Sequence, residues 1–182
     1  LLVHRLDVGT SGVVLLAKDP EAHRELSRLF QDRLVEKTYR ALVWGRPRPA
    51  EGSIEAALTV DRSDRRKMAV SDGGKPARTD YRTLERGRSI AHVELSPRTG
   101  RTHQIRVHLA SRGHPIVGDD LYGGPRWRGV REPALRRALR DVPRLLLHAL
   151  GLAFRDPFSG EMRRIESEEP ALFHDILAAS RP

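Results

Sequence analysis

The chain has 182 residues, with 33 Lys plus Arg against 24 Asp plus Glu and a formal net charge of +9. That length is one ordinary domain, which buries roughly two-thirds of its unfolded surface on folding. Cysteine is absent, which excludes disulfides, thiolate metal sites and cysteine nucleophiles together.

The apolar runs Val13–Ala17 and Leu145–Leu147 are far shorter than the ~18 residues of a membrane span. No signal-peptide pattern is present, so a cytoplasmic protein with no membrane partner is expected. The first residue is Leu1, followed at once by a charged motif, which reads as a chain whose beginning is missing or processed. Lysine occurs only at Lys18, Lys37, Lys67 and Lys75; every other basic residue is arginine. Arginine's planar fork grips phosphate two bonds at a time and stacks on bases, so a polyanion partner, nucleic acid, is expected. Aromatic residues make up only 5%, too few for a serial base-stacking surface.

In chain order, residues 12–17 (GVVLLA) read as a short buried strand. Asp19 and Pro20 form an N-cap followed by proline at the first helical position. Ala22, Leu26, Leu29, Phe30 and Leu34 recur at helical spacing, so a helix to about Arg33 is expected. Residues 37–45 read as a strand with Tyr39, Ala41 and Val43 on one face, and 45–52 as a loop. A strand over 53–60, a basic loop over 61–67 and a turn at 73–76 follow. Residues 77–86 and 89–96 are two further strands, with Ala91, Val93 and Leu95 alternating inward. Thr102–Arg112 suits a helix stopped by Gly113, and 113–124 is a long loop. A basic helix over 132–140, strands over 145–154 and 161–165, and a helix over 170–178 complete the chain. The tally, roughly six or seven strands and about four helices in mixed order, is an α+β fold.

Three local patterns bear on chemistry. In HRLDVGTSG (4–12), Asp7 stands before a Gly- and Ser-rich turn with Arg5 nearby. An ionised carboxylate there can act as nucleophile or base, or it can simply close an Asx-turn. In PRTGRTHQIRVH (97–108), a turn with Gly100 and Arg101 leads into a helix start, where free N–H groups favour phosphate. Arg101 and Arg106 lie too far round that helix to share a face and are expected to serve different partners; solvated arginines are the alternative. His103, His108 and His114 miss the spacing of a helical metal pair, so no metal site is expected. Asp119 and Asp120, with Asp7, offer either a magnesium nuclease site or, as adjacent acids in a Gly-flanked loop, turns. No P-loop or dinucleotide fingerprint occurs, so no cofactor is expected.

Together, HRLDVGTSG (4–12), KTYRALVWG (37–45), RTGRTHQIRVHLASRGHPIVGDDLYGG (98–124) and RLLLHALGLAF (144–154) resemble the RluA-type pseudouridine synthases in the same order along nearly the whole chain. GRPRPAEG (45–52) and GKPARTDY (74–81) look most like the subgroup acting on ribosomal and transfer RNA. The resemblance implies one catalytic domain over 1–182, built on a mixed, mostly antiparallel sheet with flanking helices. It also implies further strands before HRLD, so that the domain is N-terminally incomplete here. It implies an isomerase that flips a uridine out of structured RNA, detaches it from C1′ and rejoins it through C5, without cofactor or metal.

Residue by residue, Asp7 matches the catalytic aspartate and Arg5 the residue filling the space the flipped uridine leaves. Tyr39 matches the tyrosine against the target base, and Arg106 the arginine paired with the carboxylate. Leu147 falls in the motif walling the base pocket. Arg62, in the basic loop, and Arg101 are the expected phosphate contacts. A monomer is expected. The competing reading is a basic RNA-binding module without catalysis.

Overall fold

The computed structural model describes residues 1–181. Four helices, α1 (Pro20–Gln31), α2 (Gln104–Ser111), α3 (Pro133–Arg140) and α4 (Ala171–Ser180), flank a mixed sheet. Its strands are β1 (Ser11–Gly12), β2 (Glu36–Trp44), β3 (Glu51–Glu55), β6 (Arg78–Arg86), β7 (Ile90–Pro97), β8 (Leu147–Arg155) and β9 (Met162–Glu166). The order is β1-β8-β2-β7-β6-β3, with β9 also on β8, and among the described residues only the β1–β8 pairing is parallel. A separate hairpin joins β4 (Leu58–Val60) to β5 (Met68–Val70).

The sheet's centre is buried on both faces, which is why Ala41–Trp44 of β2 is a continuous apolar run and Ile90–Val93 of β7 is buried throughout, with His92 its one polar member. Register assigns the faces. Tyr39 opposes Leu95 and Ala149, and Ala41 opposes Val93 and Leu147, so these six share one side. Arg40, Leu42, His92, Glu94 and His148 take the other side, where Phe173 of α4 packs edge-on against both histidines.

Residues 12–17 do not form the expected buried strand. Gly12 has φ +114°, which ends the ladder with β8, and Val14 and Leu16 are exposed. The segment instead runs beside residues 1–3: Leu1 and Ala17 exchange backbone hydrogen bonds, and Val3 N donates to Leu15 O. The single strand expected over 53–60 is two strands in two sheets, β3 on β6 and β4 on β5. The α2 helix begins at Gln104, two residues later than expected, because His103 adopts a left-handed conformation with φ +54°.

Candidate active site

The HRLD segment is fixed from both sides. His4 stacks on Phe30 of α1, with ring centroids 4.7 Å apart, and its Nε2 accepts the backbone N–H of Leu15 at 3.0 Å. Burial lowers the His4 pKa, which suits a neutral, accepting ring. The chain then turns: Thr10 N donates to Asp7 O at 3.0 Å, and Gly9 supplies the positive φ (+85°) that a type II turn needs at its third residue. The Asp7 backbone therefore closes this turn and its carboxylate is left to other partners, so the Asx-turn alternative does not describe it.

That carboxylate lies 3.6 Å from Arg106 NH1. Arg106 comes from α2 and is not held by Asp7. Its Nε and NH2 donate to Asp119 Oδ2 and Oδ1 at 2.8 and 2.9 Å. The expected pairing of Arg106 with Asp7 is thus one arm of a three-charge chain, Asp7–Arg106–Asp119. Their side chains are 24%, 9% and 0% exposed, respectively. Burial works against the guanidinium charge, but the hydrogen bonds it donates to Asp119 and the negative charges of Asp119 and then Asp7 more than offset it, and the Arg106 pKa rises. Asp119 Oδ1 also accepts the backbone N–H groups of Leu121 and Tyr122, both at 3.1 Å. The Asp119 carboxylate is turned to the Arg106 guanidinium and the backbone amides, and Asp120 is exposed. Among the described residues the three acids do not gather as a metal-holding group.

Tyr122 closes the arrangement. Its ring lies 5.0 Å from the Arg106 guanidinium carbon, a cation–π contact. Its hydroxyl accepts Met68 N at 2.8 Å and shares a 2.8 Å hydrogen bond with His103 Nδ1. It therefore ties the β4–β5 hairpin to the head of α2. The other two histidines are similarly engaged. His108 bonds to Thr79 Oγ1 and Ala56 O, and His114 to Trp44 O.

Above this chain of charges opens a cleft of about 340 Å³, lined by Arg5, Asp7, Tyr39, Arg101 and Leu147 among others. Among the described lining residues Asp7 is the sole carboxylate, against the cations Arg5, Arg33, Lys37 and Arg101. Tyr39 and Leu147 reach it from the same sheet face. Burial, and then the Asp7 charge, push the Tyr39 hydroxyl up to about 12, so it stays protonated and available as a donor. Lys37, two residues earlier on β2, donates to Thr99 O at 3.2 Å; burial and then Arg33 bring its ammonium down to about 8.

Ahead of α2 the buried Gln104 side chain accepts Arg101 N at 3.1 Å and donates to Arg78 O and Thr79 Oγ1, which braces the turn, while no side chain caps the helix start. The Arg101 side chain, with Nε on Pro76 O, lines the cleft beside the helix terminus, whose residues His103, Gln104 and Ile105 line it too. Arg62 is not brought to the cleft lining; it is exposed on the turn between β4 and β5.

Sequence reasoning missed Lys37 and Tyr122 as site residues and weighed Asp119 only as a metal ligand or a turn former. Lys37 was findable, since alternation along β2 puts it on the Tyr39 side. The role of Asp119 was not, since its arginine is 13 residues earlier on α2 and only the fold turns the two together.

Comparison with known proteins agrees with this geometry. The sequence profile of the RNA pseudouridylate synthase family matches residues 1–111. The dual-specificity RNA pseudouridine synthase RluA of Escherichia coli is 44% identical over 160 residues, covering 87% of this chain and 68% of that protein. Ribosomal large subunit pseudouridine synthase D of Pseudomonas aeruginosa is 42% identical over 182 residues, covering 99% of this chain and 56% of that protein. Human RNA Pseudouridylate Synthase Domain Containing 1 superposes with a TM-score of 0.81 at 31% identity, covering 100% of this chain and 73% of that one. The chain belongs to the RNA pseudouridylate synthase family, in its RluA-type branch, and is an isomerase of RNA uridines.

Proposed function

We propose that the cleft receives a uridine flipped out of folded ribosomal or transfer RNA and that Asp7 carries its isomerisation. The reaction breaks the bond from N1 to C1′, turns the base over, and joins C5 to C1′. The proton on C5 is lost and N1 gains one, so atoms balance with no oxidant, metal or transferred group. A carboxylate serves either as the nucleophile at C1′ or as the base for the proton.

The observation that carries this reading is the isolation of Asp7: the sole lining carboxylate, 3.6 Å from a buried arginine that Asp119 holds in place. Arg106 keeps that carboxylate oriented. Tyr39, protonated, stands where it can donate to a base or receive its proton through exchange. Arg5 and Arg101 offer phosphate and stacking contacts that offset the few kcal/mol of unstacking a base. Leu147 supplies an apolar wall.

The test is release of tritium from RNA labelled at uridine C5, with transfer RNA and large-subunit ribosomal RNA as separate substrates. Release into water, with pseudouridine recovered in the digested RNA, is expected from at least one. No release from either, at enzyme concentrations that bind the RNA, contradicts the proposal.

A further inference from the structure

Between the loop holding Asp119 and the strand carrying Leu147, the chain makes an excursion whose charge the cleft does not use. Residues 121–144 contain seven arginines (Arg126, Arg128, Arg131, Arg136, Arg137, Arg140 and Arg144) against Glu132 and Asp141. More than half of the chain's net +9 is therefore carried by this one segment.

Its ends are pinned together: Leu146 N donates to Val117 O at 2.9 Å, and Gly118 packs on the Arg144 carbonyl so tightly that a Cβ there would collide with it. Val130, Leu135 and Leu139 bury into the main core, and α3 packs against α4, on the sheet face opposite Tyr39 and the cleft. With Leu135 and Leu139 turned inward, Arg136, Arg137 and Arg140 are exposed on the rest of α3, and Arg126, Arg128 and Arg131 are exposed just before it.

Among the described residues Arg140 pairs with its neighbour Asp141, whereas Arg126, Arg128, Arg131, Arg136, Arg137 and Arg144 make no ion pair. A rigid, pinned element that concentrates unpaired guanidinium groups fits a polyanion whose phosphates supply the missing partners.

We propose that the exposed arginine face of residues 126–140 is a second RNA-contacting surface, which grips the phosphodiester backbone of RNA extending beyond the stem-loop seated in the cleft. This rests on the reading that the cleft takes RNA. Because the face lies across the sheet from Tyr39, a short hairpin in the cleft does not reach it, whereas a large folded RNA does.

The test is the triple variant Arg131→Gln, Arg136→Gln, Arg137→Gln in the whole chain. Glutamine keeps helix propensity close to that of arginine, and the Leu135 and Leu139 anchors are untouched. Equilibrium binding is measured over a salt series with two probes, bulk large-subunit ribosomal RNA and a short uridine-loop hairpin. Each phosphate contact contributes roughly 0.7–0.9 to the slope of log affinity against log salt. The slope for the large RNA is expected to fall by about 2, with the hairpin slope and tritium release from the hairpin unchanged. Replacing the same three positions by lysine is expected to restore the slope, which a merely misfolded segment would not do. An unchanged slope for the large RNA, or an equal fall for both RNAs, overturns the second surface alone. Failure of the unaltered protein to bind either RNA overturns the cleft reading with it.

Discussion

Arg106 is held by Asp119, not by Asp7: two hydrogen bonds of 2.8 and 2.9 Å run to Asp119, and the contact with Asp7 is 3.6 Å. The carboxylate facing the cleft is thereby oriented by a cation that another carboxylate has already fixed. The same Asp119 caps the turn carrying Tyr122, so one buried side chain sets both the guanidinium plane and the ring beneath it.

Asp119→Ala should therefore act on stability first. Removing one member of a buried, hydrogen-bonded ion pair costs about 3–5 kcal/mol, and the two backbone N–H groups it caps lose their acceptor as well. Chemical denaturation should show a loss in that range. Asp119→Asn, which keeps an acceptor for those amides, should be less destabilised yet still lose at least tenfold in turnover, since the neutral amide no longer anchors Arg106. Turnover equal to the unaltered protein in Asp119→Asn would show that the anchoring is dispensable.

Lys37 makes a pH-dependent contribution whose sign follows from burial. Its pKa falls from the ordinary 10.5 to about 8 in the folded chain. Between those values the unfolded chain binds the extra proton, so this residue's penalty on stability is largest below pH 8 and is relieved as pH rises toward 10.5. Lys37→Met should raise the melting midpoint at pH 7, and the gain should shrink steadily above pH 8. A gain independent of pH over that window would contradict the assignment.

Gly12→Ala tests how β1 sits on β8. The glycine has φ +114°, and a Cβ there would meet the Ala149 backbone carbonyl with no flexible side chain to yield. A loss of about 3 kcal/mol is expected, together with reduced activity, because the turn from Asp7 to Thr10 runs directly into β1. Denaturant titration decides it.

The β4–β5 turn carries Arg62, Arg65 and Arg66, which are not equivalent. Arg66 is forked onto Asp64 at 2.9 and 2.8 Å, whereas Arg62 and Arg65 make no ion pair among the described residues. Substituting Arg62 or Arg65 by glutamine should each reduce the salt slope for RNA by nearly 1, and Arg66→Gln by less. Equal slopes in all three variants and the unaltered protein would remove this turn from the RNA contact.

Much of this arrangement was legible in the sequence because it is local. The Asp19–Pro20 start of α1 is a real cap, with Asp19 Oδ1 accepting Ala22 N at 2.8 Å. The alternation of Ala91, Val93 and Leu95 does put the three on one face of β7, the Tyr39 side. What the sequence hid is non-local. The run Gly12–Ala17 has strand composition, but β8 offers its edge only to Ser11 and Gly12 and gives the rest to β9. The hairpin strands β4 and β5, three residues each, are too short for periodicity to mark. Adjacent acids in a Gly-flanked loop look like turn formers, and Asp119 is one; its second role appears only when α2 brings Arg106 against it.

The most direct test of the account is Asp7→Asn, assayed for tritium release from C5-labelled uridine and for pseudouridine in the digested RNA. The substitution keeps size and hydrogen-bonding capacity and removes the carboxylate. The account expects no product above the no-enzyme background, with RNA affinity within about threefold of the unaltered protein, because the binding cations Arg5, Arg101 and Lys37 are untouched. Product from the purified variant at more than a trace of the original rate would contradict Asp7 as the reacting group.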